Sequence, residues 1–189
     1  MRSTDYGQCV QRYQPDAKLS CNNKMPSSAL KDAALAATQV ICVNYSDKNS
    51  TDGNSLNDLQ LGYRYGEVAA GRTSELIGAK IGSLCIVTST DHFVVGMLGS
   101  PIETSTAWKG RIYKHAREFT PLTDILPKSS VNTQWKNILV NYEITNLRRS
   151  IFSSRNCGYG EWCINALREA IARDIFPVRS TTVSTRTVF

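Results

Sequence analysis

The chain has 189 residues, 41% hydrophobic and 20% charged, with a formal net charge of +6. That is enough apolar material for one packed domain with appendages, and it excludes a disordered polar or acidic tail protein. No run of about 18 apolar residues occurs, so no transmembrane helix is expected.

The N-terminal stretch MRSTDYGQCVQRYQPDAKLSC lacks the apolar segment of a secretory signal, and the expectation is a cytoplasmic protein without a membrane partner. Residues 1–26 show no periodicity and carry Pro15 and Pro26, which reads as an extended arm. Ser27 and Ser28 then precede an Ala- and Leu-rich run with Asp32 in its first turn, which predicts a helix over 29–39. Val40–Val43 is β-branched and reads as a strand, and the polar segment SDKNSTDGNSLND that follows reads as a loop.

Leu61–Val68 (LGYRYGEV) interleaves aromatics, an arginine and two glycines, and its alternation fits a strand with Arg64 outward. A short helix is expected over Thr73–Ile81. Leu84–Thr88 and Phe93–Leu98 are apolar runs joined by a polar turn, which predicts a hairpin buried on both faces, with Gly96 and Gly99 marking a bend. Further strands are expected at Gly110–His115, Arg117–Thr120 and Leu122–Leu126. Trp135, Ile138, Leu139 and Tyr142 recur at helical spacing, as do Trp162, Ile164, Leu167, Ile171 and Ile175. The tail VRSTTVSTRTVF alternates Thr or Ser with Val, as an edge strand would.

The charge is unevenly spread. Residues 1–99 carry nine basic and nine acidic side chains, whereas residues 100–189 carry thirteen and seven, so the whole excess lies in the second half. A one-sided basic excess is the electrostatic footprint of a polyanion ligand. Cys9, Cys21, Cys42, Cys85, Cys157 and Cys163 include no C-x-x-C pair, and His92 and His115 lie far from the last two. The expectation is reduced, structural cysteines, no metal and no cofactor.

Residues 78–126 run as a short helix, K-I-G-S, a strand, a turn, a strand ending V-V-G-M-L, a loop with a tryptophan, a basic strand and an aromatic strand. Over about a quarter of the chain this resembles the core of PUA-like domains, the superfamily with the EVE, YTH and ASCH modules. Ser83 stands where the family commonly has an aspartate. The resemblance implies an α+β fold, a small partly open β-barrel flanked by helices. The arrangement expected is an arm over 1–28, a PUA-like barrel domain over 29–130 and a helical C-terminal extension over 131–189 packed on the barrel. It also implies nucleic-acid binding, DNA or RNA, with a flipped or modified base held in an aromatic pocket.

The residues proposed for that surface are Tyr63, Arg64, Tyr65, Trp108, Lys109, Arg111, Lys114, His115 and Arg117. Trp108 sits in the polar loop SPIETSTAWKGR, where stacking on a base and plugging one end of the barrel fit equally well. Tyr63–Tyr65, flanked by Gly62 and Gly66, is a second aromatic–basic group, and Lys114, His115 and Arg117 interleave as phosphate contacts would. No catalytic residue is assigned. Two alternatives stand beside this reading: a small metal-dependent nuclease using Asp91, Glu103 and Lys109, and a viral or phage structural or host-interaction protein meeting an acidic partner.

Overall fold

Leu84–Thr88 (β3) is a strand in which all five residues are buried, because its two faces meet different cores. The computed structural model describes residues 27–45, 55–70, 74–103, 105–110, 113–142 and 161–179. Around β3 the other elements are α1 (Ser27–Ala36), β1 (Val40–Asn44), α2 (Ser55–Tyr65), β2 (Glu67–Ala70), α3 (Ser74–Gly78), β4 (His92–Ile102), β5 (His115–Pro121), β6 (Leu126–Pro127), α4 (Lys128–Asn141) and α5 (Glu161–Ala172). The expected arm and the tail beyond 179 lie outside the described residues.

The sheet runs β1-β3-β4-β5-β2, with β6 pairing the start of β4. β1 pairs β3 in parallel and the remaining pairs are antiparallel. The sheet curls into an open half-barrel flanked by helices, including one near the C-terminus, so the fold is α+β.

Strand periodicity sorts the side chains. Val40, Cys42, Leu84, Ile86, Phe93 and Val95 face one core, which α1, α4 and α5 close with Ala34, Trp135, Ile138, Leu167 and Ile171. Ile41, Val43, Cys85, Val87 and Val94 face the inside of the curl, with Leu59 of α2, Leu76 of α3, Trp108 and Phe119. Curvature needs a residue without a side chain on the inner face. A Cβ on Gly96 would lie 2.4 Å from the Phe119 ring and 2.6 Å from the Thr120 carbonyl oxygen, so only glycine lets β5 approach there. An irregularity between Leu98 and Pro101 bends β4 further.

The curl leaves β1 and β2 as its two edges, and one side chain spans them. The Tyr45 hydroxyl accepts the Ala69 N–H and donates to the Ala69 carbonyl, both at 3.1 Å.

Three expected strands turn out otherwise. Leu61–Tyr65 completes helix α2, and Gly66 at φ +66 reverses the chain into β2. Of the expected strand at Gly110–His115, Gly110 lies in a turn over 107–110, residues 111–112 lie outside the described residues and only His115 is in a strand, the start of β5, in which Arg117–Thr120 forms as expected. Of Leu122–Leu126 only Leu126 is in a strand, the start of β6: the Leu122 and Thr123 N–H groups both bond the Val95 carbonyl at 2.8 and 3.1 Å, which wraps the chain around β4.

Candidate nucleic-acid interface

The loop after β4 is organised by one carboxylate. Glu67, at the start of β2, accepts the Ser105 hydroxyl and the backbone N–H groups of Thr106 and Ala107, and Ser105 Oγ in turn accepts the Trp108 N–H. This cap turns the Trp108 indole inward, where it is only 3% exposed. Its ring lies 5.5 Å from that of Tyr45 and 4.9 Å from that of Tyr113, with Tyr45 and Tyr113 5.9 Å apart. The Tyr113 hydroxyl donates to the fully buried Asp58 of α2 at 2.8 Å.

Helix α2 is shaped to receive this wedge. A Cβ on Gly62 would sit 3.4 Å from the Trp108 ring and 2.6 Å from the Glu67 carbonyl oxygen. Among the described residues the indole Nε1 finds no hydrogen-bond partner. The expected exposed stacking platform is therefore not at Trp108, which packs as a plug. Its rings touch directly, whereas a sandwiched base needs two contact distances of roughly 3.5–4.0 Å between opposing faces.

The other expected residues divide into three groups. Arg64 and Tyr65 are exposed at the end of α2, with the Arg64 guanidinium carbon 5.6 Å from the Tyr65 ring centroid. Lys109 and Lys114 are exposed, each the residue directly after Trp108 or Tyr113. Because Trp108 and Tyr113 are held on α2, these four side chains belong to two segments locked against each other. His115 is half-buried at the start of β5, opposite Ala70. Arg111 lies outside the described residues.

Tyr63 turns to a separate cluster. Its hydroxyl donates to Asp124 at 2.8 Å, Arg179 Nε lies 3.1 Å from the same carboxylate oxygen, and the Arg179 guanidinium stands 5.2 Å from the Tyr63 ring centroid. Burial, then the bond to Asp124, push the Tyr63 hydroxyl from the ordinary value near 10 up to about 12.

Arg117 is no phosphate contact. It is 2% exposed, and its guanidinium donates to the carbonyls of Gly99 (3.0 Å from Nε), Leu76 (3.2 Å), Ile77 and Ala79. It thereby holds the C-terminal carbonyls of α3 against the sheet, where a cation suits the helix dipole. Burial pulls its pKa down, though the charge is retained. Burial pushes the neighbouring Cys85 thiol far up, and Cys42 and Cys85 are both buried.

Part of the basic excess of the second half is engaged by other groups of the chain. Lys128 donates to the Ser89 and Thr90 carbonyls, Arg168 to the Ala37 carbonyl, and Arg173 and Arg179 form ion pairs with Glu169 and Asp124. Asp91 and Glu103, the acids of the nuclease alternative, do not converge. Asp91 and Glu103 flank the two ends of β4, an 11-residue strand. At about 3.3 Å per residue they are separated by roughly 40 Å of chain. Among the described residues no group of three or more His, Cys, Asp or Glu could hold a metal ion, and no helix is long and apolar enough to cross a membrane.

Asp58, Tyr45, Tyr113 and Glu67 were not singled out in the sequence. Each acts on a residue 24 to 55 positions away, for which local spacing carries no signal. No protein-family model matches the chain, and no curated protein matches it in sequence.

Proposed function

We propose that the protein binds nucleic acid, DNA or RNA, through the surface formed by α2 and residues 105–110 and 113–115. One observation carries this reading: Arg64, Tyr65, Lys109 and Lys114 are all exposed on two segments that the Trp108–Tyr113 wedge fixes to each other. Cations held at fixed positions neutralise phosphates and release counterions, and an exposed aromatic adds a stacking face. A half-barrel whose strand bends at a glycine is also the architecture that the PUA-like resemblance implies, which supports kinship with that superfamily. Holding a flipped base would require the Tyr45–Trp108–Tyr113 rings to part, so the reading rests on the outer surface and not on that cluster.

The test is a gel-shift titration with labelled DNA and RNA, with and without magnesium. Retarded, intact strands are expected, and exchanging Lys109 and Lys114 for glutamate weakens the shift. Cleavage of the strands in magnesium would replace this reading with a nuclease. Absence of any shift, with an acidic protein retained instead, would replace it with a protein-interaction role.

A further inference from the structure

We infer that this surface prefers single-stranded nucleic acid to duplex and that Tyr65 is the side chain that makes the distinction; the inference rests on the nucleic-acid reading above. Tyr65 is the last residue of α2, and Gly66 at φ +66 turns the chain away directly behind it. The ring is consequently 44% exposed, and among the described residues the exposed large apolar side chains are Tyr65, Ile77, Ile81 and Val140, of which Tyr65 alone is aromatic. The Arg64 guanidinium lies against the ring at 5.6 Å, which one cation can do on a single face only.

What remains is a ring with open π surface, backed by a cation, on the proposed surface that also carries Lys109 and Lys114. The lysines and Arg64 attract either polymer, since both carry phosphates. The ring does not. Bases inside a duplex are already stacked on both faces by their neighbours, and reaching one costs a few kcal/mol of unstacking and unpairing. Bases of a single strand present their faces freely, and every base has one. The buried rings of Tyr45 and Trp108 and the half-buried ring of Tyr113 are packed on each other, so Tyr65 is where a base meets an exposed aromatic face without rearrangement of the fold.

The experiment follows fluorescence anisotropy of labelled oligothymidine and oligouridine of about 20 nucleotides, longer than the roughly 4–16 that single-strand-binding folds cover. A duplex of the same length and label serves as comparison. The single strands are expected to bind more tightly than the duplex. Tyr65→Ala should lower single-strand affinity about five- to a hundredfold, the loss of one stacking partner, with duplex affinity unchanged. Tyr65→Phe, which keeps the ring, should restore it. A near-ultraviolet dichroism spectrum establishes that both variants are folded. Equal affinity for duplex and single strand, or a Tyr65→Ala variant that loses both equally or neither, overturns the inference and leaves the nucleic-acid reading standing. Absence of binding to every polymer overturns both.

Discussion

Trp108 shows how a polar sequence context hides a packed residue. Its neighbours Thr104–Thr106 and Lys109 describe a surface loop, yet Glu67 caps the loop from another element and drives the indole inward. Trp108→Ala should therefore cost about 3–5 kcal/mol in urea denaturation, as large aromatic truncations in cores do. Trp108→Phe should cost distinctly less, because among the described residues the indole N–H makes no bond to lose. A stability loss as small as that of a surface residue, within about 0.5 kcal/mol, would contradict the buried wedge. Arg117 was legible in part: a period of two places it on the same face as Phe119, which is inward, but its basic neighbours drew it to the ligand side. Tyr63 carries a pH dependence. Its hydroxyl is held protonated in the fold, up to about 12 against an ordinary value near 10. The stability it adds is thus complete below about pH 10 and is lost as the pH climbs toward 12. The stability difference between the protein and Tyr63→Phe should be constant up to pH 10 and shrink above it; a difference that grows there would reverse the assignment.

Among the elements, β1, β3 and β4 were readable because burial on both faces demands unbroken apolar, β-branched runs. The helices after Asn132 were readable from their period. α2 was not, because Tyr63, Tyr65 and two glycines mimic a strand, and Gly62 is present for the approach of Trp108 and the Glu67 carbonyl rather than for helix propensity. The start of β5 was misplaced for a related reason: Tyr113 continues the alternation of the strand while its ring and hydroxyl are committed to Trp108 and Asp58. Gly96→Ala examines the bend of β4 directly. With Phe119 and a backbone oxygen both inside contact distance, overpacking should cost about 1–3 kcal/mol, and Phe119→Ala in the same chain should recover part of it by removing the ring. Two simply additive losses would show that the contact with Phe119 does not set the curvature.

For the whole molecule, a net charge of +6 overstates what a ligand meets at close range. Arg117, Lys128 and Arg168 bond to carbonyls, and Arg173 and Arg179 are paired, so the cations of the proposed surface reduce to Arg64, Lys109 and Lys114 among the described residues. Three phosphate contacts imply a slope of about −2 for the logarithm of single-strand affinity against the logarithm of salt concentration. A titration from about 50 to 200 mM salt measures it. A flat response would remove the electrostatic basis of the reading. A much steeper one would place further phosphate contacts elsewhere on the chain. The sequence counted charges correctly; which of them face inward depends on how the sheet curls, and that is a property of contacts far apart in sequence.

The hydroxyl of Tyr45 satisfies, with one oxygen, the donor and the acceptor of Ala69 on the rim of β2. Those are the two groups by which an antiparallel strand from another molecule would add itself to the sheet. Tyr45 therefore acts as a stopper against self-association as well as a link across the curl. Tyr45→Phe keeps the ring packed against Trp108 but leaves the Ala69 amide and carbonyl without that partner. The expected outcome is a folded protein that gains light scattering and thioflavin-positive species on standing at concentrations where the parent stays clear. A variant as clear as the parent would mean that β2 is shielded by its surroundings alone.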